Sequence, residues 1–198
     1  MRHLLVPLAV VALAVGCTPD VAPTASPSVF VSPTASASPS VSPSPSPTAV
    51  ESFPPAPATE SAEQAAIRAA WMEYWRVYEK FAGDPSLTDL TETQQVTTGE
   101  AQNVILDAIG QLRDDNLAFL GGWQFRDIAI AEPAAAGAGE VTSKMTYCVD
   151  RSRMRIEDSE TGTVSVQSLP SLAETAVMKQ GKDGRWRLAE RRNQEEAC

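Results

Sequence analysis

From residue 18 to residue 58 the chain is dominated by Ser, Pro, Thr, Ala and Val, with runs such as Ser42-Pro43-Ser44-Pro45-Ser46-Pro47. A stretch of this kind cannot bury a core, because proline removes backbone donors and favours extended polyproline II while the small polar side chains remain hydrated. Any globular fold is thereby confined to residues 59–198. Residues 17–58 are expected to form a disordered, semi-stiff linker reaching at most ~130 Å at ~3.1 Å per residue. That reach suits a tether carrying a domain from a membrane into a cell wall, and the Ser/Thr density permits O-glycosylation.

What precedes the linker says what it is tethered to. Arg2 and His3 are followed by an uncharged apolar segment, Leu4 to Val15, and then by Gly16 and Cys17. A dozen helical residues span only ~18 Å against a hydrocarbon core of ~30 Å, so a cleaved signal peptide over residues 1–16 is the better reading than a permanent span. Leu13-Ala14-Val15-Gly16-Cys17 resembles the bacterial lipobox, in which the cysteine sulfur is alkylated by a diacylglyceryl group and the chain is cut just before it. Two departures stand out: Ala14 occupies the place where leucine is commonest, and Val15 one where a smaller residue is usual. The alternative is an ordinary secretory peptide in which Cys17 has no special role. With two or more acyl chains the anchor to the outer face of the cytoplasmic membrane would be durable.

Processing at Cys17 has chemical consequences. The full chain carries 16 basic and 25 acidic side chains; loss of Arg2 takes the net charge from −9 to −10. Such a surface repels nucleic acid and gains nothing from anionic lipid. His3 is the sole histidine, and its removal excludes Ser-His-Asp and Cys-His catalysis, His-ligated zinc or copper and a histidine base. No cofactor and no metal is expected. With Cys17 lipidated, Cys148 and Cys198 remain, and an even pair in an exported chain reads as one disulfide. Closing a loop of about fifty residues, it would contribute about 4 kcal/mol on the chain-entropy model. Two unrelated thiols are the alternative.

Beyond Thr59 the composition changes abruptly. Ser61 and Gln64 have capping-box spacing, and Ile67, Trp71, Tyr74, Tyr78 and Phe81 recur every three or four residues, with Trp75 widening the stripe. This predicts a helix to about Ala82, stopped by Gly83-Asp84-Pro85. Residues 86–98 read as a short helix or irregular crossing. A second helix is expected from about Gly99, with Ala101, Val104, Ile105, Ala108 and Leu112 on one face, fraying through Asp114-Asp115-Asn116 towards Gly121-Gly122. The period then changes. Trp123–Glu132, Glu140–Asp150, Ser152–Glu157, Val164–Leu169, Glu174–Gln180 and Arg185–Arg191 read as strands, with Asp183-Gly184 suited to a tight hairpin. In the first of these Trp123 and Phe125 are out of phase with Ile128 and Ile130, which predicts a bulge near Asp127.

Helices followed by antiparallel strands make an α+β pattern, here one curved antiparallel sheet around the N-terminal helices. The element order, the Cys148-Val149-Asp150 triplet, the Asp183-Gly184-Arg185-Trp186 hairpin and the terminal Cys198 resemble secreted actinobacterial proteins with the NTF2-like (SnoaL-like) cone fold. The resemblance covers residues from about 60 to 198. That fold hosts isomerases, hydratases and transport factors, so the resemblance implies a cone and no particular activity. Its catalytic members place a carboxylate, often with a tyrosine or histidine, inside the open end of the cone. No segment here matches their catalytic motifs, and no catalytic residue is carried over.

Candidate pocket residues are Trp71, Tyr74, Tyr78, Phe125, Asp127, Met145, Tyr147 and Trp186. An inward Asp127 among aromatics would have a raised pKa and could abstract a proton; the plainer alternative has Asp127 facing solvent and the tyrosines in the core. Arg151, Arg153 and Arg155 alternate as if on one strand face and, with Arg185, Arg187, Arg191 and Arg192 on or beside a neighbouring hairpin, would make a basic patch for an anionic wall polymer, a phosphate or an acidic partner. The plainer account is a solvated face neutralised by Glu157, Asp158, Glu174 and Glu190. The leading expectation is a lipid-anchored, non-enzymatic binding or accessory domain that engages a protein or cell-wall partner or a small apolar ligand, with an exposed sheet face as a natural homodimer surface. An isomerase or lyase using a buried carboxylate, and a spacer without ligand, are the alternatives.

Overall fold

The first helix is specified at both ends by local chemistry. Ser61 caps α1 (Ala62–Gly83): its Oγ accepts from the Gln64 amide at 3.2 Å while Gln64 Oε1 accepts from the Ser61 amide at 2.9 Å. Glu63 in the first turn and Lys80 in the last complement the helix dipole. Pro85 forces the preceding Asp84 out of the helical region, to φ −131° and ψ 96°. The computed structural model describes residues 52–198 except Ala138, Ser168 and residues 195–197. The lipobox at Leu13–Cys17, and residues 17–51 of the linker, lie outside the described residues.

After α1 come α2 (Thr93–Val96) and α3 (Glu100–Asp114). In α3 the buried residues are Ala101, Ile105 and Ile109, while Val104, Ala108 and Leu112 are half-buried, so Ile109 joins the expected apolar face. The chain then forms β1 (Leu117–Phe119), β2 (Gln124–Ile130), β3 (Ala134–Ala135), β4 (Val141–Asp150), β5 (Met154–Asp158), β6 (Thr163–Gln167), β7 (Leu172–Gln180) and β8 (Trp186–Asn193). The fold class is α+β, with the helices packed against antiparallel sheet. Its strands form two sheets rather than the single one expected: β2-β4-β7-β8 with β3 also on β4, and β1-β5-β6. The separation arises at Arg151-Ser152-Arg153, which is a turn and not the start of a strand, so β5 leaves β4 and pairs with β1. β1 itself was not expected. Asn116, at φ 57°, redirects the chain out of α3, a conformation asparagine tolerates better than most residues.

Two register shifts set which side chains face the helices. The bulge near Asp127 is present: the β2–β4 register shifts between Arg126 and Ala129, and Asp127 has φ 55°. It lets Phe125 (opposite Val149) and Ile130 (opposite Met145) both pack with the core. A second shift between Val177 and Met178 puts Arg191 opposite Ala176 and Leu188 opposite Met178. Ala176 and Met178 are fully buried, so Arg191 and Leu188 share the face that packs under α1.

The packed unit starts earlier than the composition change at Thr59. Phe53 stacks on Phe125 with ring centroids 5.0 Å apart and meets the edge of Trp71 at 5.5 Å. The Ser52 carbonyl accepts from the Phe125 amide at 2.9 Å. At the other end Cys148 and Cys198 are bonded, with Cα atoms 5.9 Å apart. Arg126, opposite Cys148 in register, donates through Nη2 to the main-chain oxygen of Cys198 at 2.5 Å. Phe53→Ala is expected to cost about 1–3 kcal/mol, from lost apolar area and the aromatic pair. Urea unfolding of the two proteins checks this; an unchanged midpoint would mean that Phe53 adds nothing to the core.

Candidate functional site

Alternation along β7 places Glu174 in the same phase as the buried Ala176 and Met178, so a carboxylate is carried into the interior. Register sets it directly opposite Tyr147 of β4. The Tyr147 hydroxyl donates to Glu174 Oε2 at 2.9 Å, and Glu174 is only 6% exposed. Arg191, from β8, lies on the same face with its guanidinium 5.1 Å from the centre of the Trp75 ring, a cation–π distance. Tyr74 and Tyr78 of α1 complete the group.

Burial governs the electrostatics. It raises the Glu174 carboxyl, against the opposing charge of Arg191 and the Tyr147 hydrogen bond. It also pushes Tyr74 up to about 12, raises Tyr78, and lifts Tyr147 well above the ordinary tyrosine range, Glu174 adding to the effect on Tyr147. Burial is the largest influence on Arg191 and works against its charge, but Tyr74, Glu174, Tyr147 and Tyr78 together outweigh it and the guanidinium stays a cation. A carboxyl with a raised pKa beside a phenol is chemically able to exchange a proton with a ligand. Here the group is covered.

The covering consists of the residues expected to line a pocket. Trp71, Tyr74, Tyr78, Phe125, Met145 and Tyr147 do converge on one cluster, but they fill it. Trp71 and Met145 are fully buried and Tyr74 is 1% exposed. Trp71 sits 4.9 Å from Phe125 and 4.8 Å from Tyr147, centroid to centroid. Trp186 is buried in the same cluster and also borders a groove with Ala66, Ala70 and Val96. Asp127 is not inward: its side chain is 71% exposed and pairs with Arg126 at 3.1 Å. The bulge turns it outwards while Phe125 and Ile130 turn in.

The three arginines do not share a strand face either. Arg151 and Arg153 belong to the β4–β5 turn, and Arg151 Nε donates to the Pro170 carbonyl at 3.1 Å. Arg155, on β5, donates through Nη2 to the Leu120 carbonyl at 2.8 Å. Arg153 and Arg155 border a surface cleft of about 480 Å³ with Gly121, Gly122, Trp123 and Glu79. A Cβ on Gly122, whose φ is +102°, would lie 2.0 Å from the Arg153 carbonyl oxygen, so only glycine lets the two segments meet. Glu79 accepts from the Trp123 indole at 2.5 Å, and burial raises its carboxyl.

Glu174 and Glu79 were not among the candidate site residues read from sequence, and Arg191 was read only as one of the arginines beside the last hairpin, not as a buried group. Glu174 had been counted with the acids neutralising a solvated face, although its phase with Ala176 and Met178 carried the signal. Arg191 had no such signal, because the β8 shift reverses its phase. Among the described residues, no group of three or more His, Cys, Asp or Glu is placed to hold a metal ion. No helix there is long and apolar enough to cross a membrane.

No protein-family model matches the chain, and no curated protein matches it. Among solved structures it is similar to a ketosteroid isomerase-like protein from Erwinia carotovora atroseptica SCRI1043, at 14% identity and a TM-score of 0.39, over 67% of this chain and 95% of that one. It is also similar to a periplasmic fragment of TraM, at 12% identity and a TM-score of 0.38, over 65% and 98% of the two chains. A structure from Catenulispora Acidiphila is similar at 14% identity and a TM-score of 0.34, over 68% and 94%. These likenesses give no residue here a role. The α+β architecture rests on the topology itself.

The raised Glu174 carboxyl has a measurable consequence. Its value in the folded chain lies above the ordinary 4.5, so folding takes up a proton between the two values. The contribution is whole below about 4.5 and is lost as pH rises through the folded value. Glu174→Gln cannot titrate. The melting temperature of the variant minus that of the wild type is therefore expected to increase as pH is raised from 4 to 8. A difference that stays constant across this range would contradict the assignment.

Proposed function

We propose that the chain is an extracytoplasmic lipoprotein, held by Cys17 on the outer face of the cytoplasmic membrane, whose domain is a non-catalytic binding or accessory module. The observation that supports this reading best is the filled interior. Glu174 is the buried carboxylate best placed for chemistry, and the side chains above it are packed aromatic core. The surface clefts at Gly121–Trp123, at Ser86–Gln95 and at Glu140–Lys182 are lined by other residues. Partners then meet the protein at its surface, and Arg153 and Arg155 beside Trp123 offer a site for an anionic group with an apolar part. An anionic wall polymer or an acidic protein segment has that chemistry.

One observation favours a second reading, a small-molecule isomerase or lyase. The Glu174–Tyr147 pair has the raised carboxyl and the phenol that proton transfer needs, and the indole N–H of Trp75 is buried without an acceptor. That reading requires α1 to lift from the sheet on binding, because the aromatic contacts now occupy the ligand's place.

The anchor is tested by Cys17→Ser. The variant is expected in the medium or as unprocessed precursor in fractionated cells, and a processed, membrane-bound variant would refute lipidation at Cys17. The binding reading is tested by pull-down from intact cells with Arg153→Ser/Arg155→Ser. Loss of a captured partner at unchanged thermal stability is expected; the same partners at the same yield would remove the cleft from consideration.

A further inference from the structure

Met154 of β5 packs against the core, but β6 plays no part in the interior. β6 pairs with β5 on one side, and no strand among the described residues pairs with its other side. Open edges are templates for another strand, and soluble proteins blunt them with lysine, proline or a bulge. β6 has none of these. Its sequence, Thr163-Val164-Ser165-Val166-Gln167, is uncharged, and its register with β5 runs through five residue pairs without a shift. Val164 and Val166 are 51% and 65% exposed, and they are the large hydrophobic residues left exposed among the described residues.

Two features say what fits this edge. The strand reads nearly the same in both directions about Ser165. An antiparallel copy centred there sets each Val164 opposite the other chain's Val166, each Thr163 opposite a Gln167, and Ser165 opposite itself. Apolar meets apolar and polar meets polar, as an isologous two-fold contact requires. Charge points the same way. The closed end of the hairpin carries Glu157, Asp158 and Glu160, and the open end carries Arg151, Arg153 and Arg155. Antiparallel pairing brings the acidic end of each copy beside the basic end of the other; parallel pairing would set like charges together.

We propose that β6 is a self-pairing edge, through which two copies of the chain join antiparallel about Ser165 and fuse their three-stranded sheets into one of six strands. The contact rests on the hairpin alone and not on the anchor at Cys17. Both can therefore be tested separately.

The test uses the chain carrying Cys17→Ser, in which the remaining cysteines are the bonded pair. Directly opposed residues of antiparallel strands have Cα atoms ~4.5–5.5 Å apart, inside the ~4.4–6.8 Å a disulfide spans. Ser165→Cys is expected to give a covalent dimer under mild oxidation on a non-reducing gel. Two copies of Gln167→Cys would hold their thiols about 13 Å apart along the strands, so this variant alone should not cross-link but should do so when mixed with Thr163→Cys. In sedimentation the Cys17→Ser chain is expected to reach a weight-average mass twice the monomer's as concentration rises. Val166→Lys should hold it at the monomer mass with its melting temperature unchanged, since Val166 is exposed. A chain that stays monomeric, or cross-linking as efficient at Gln167→Cys alone as at Ser165→Cys, would overturn the proposal.

Discussion

Everything in the domain is arranged around the need to cover one face of α1. That face carries Ile67, Trp71, Tyr74, Trp75 and Phe81, all at 3% exposure or less. Rings of this size bury large apolar areas and prefer edge-to-face contacts, and such contacts are what they make with Phe53, Trp123 and Phe125. Covering them demands a continuous apolar sheet surface. Met145, Ala176, Met178 and Leu188, each fully buried, supply it. The bulge at Asp127 keeps Phe125 and Ile130 turned to the core on either side of it. The second shift, in β7–β8, brings Leu188 in and carries Arg191 with it.

The same covering explains why the polar groups inside are held as they are. A buried carboxylate is costly unless it is hydrogen-bonded or faced by a cation. Glu174 has both, from Tyr147 and Arg191, and Arg191 in turn rests against the Trp75 ring. The arrangement resembles an acid–base site in composition and a core in packing. A general base must be reachable by the proton it takes, and in the folded chain Glu174 is only 6% exposed.

How much of this was legible in the sequence varies residue by residue. The capping box at Ser61, the stop at Pro85, the Asp183-Gly184 hairpin and the bulge at Asp127 were readable because each is written within a few neighbouring positions. Reading Asp127 as inward was one of two alternatives at the bulge, and the bulge turned it to solvent. The arginine alternation misled: Arg151, Arg153 and Arg155 have strand spacing, but the first and third residues of Arg151-Ser152-Arg153 lie in a turn. Glu174 lay in plain phase with Ala176 and Met178 and was missed because charge was weighed above phase. Phe53 was hidden by its surroundings, a single aromatic at the end of a Pro-rich run.

By itself, then, the sequence determined the limits of the helices, the positions of most strands and the apolar face of α1, because capping, proline sterics and hydrophobic period are local. It also determined that Cys148 and Cys198 were available to each other if Cys17 is lipidated. Only the tertiary structure decided that the strands divide into two sheets, that Tyr147 meets Glu174 from 27 residues away, and that the aromatic residues fill the interior instead of lining it. Those outcomes depend on register between distant strands and on how side-chain volumes sum within one closed space, and neither is a property of any short stretch of chain.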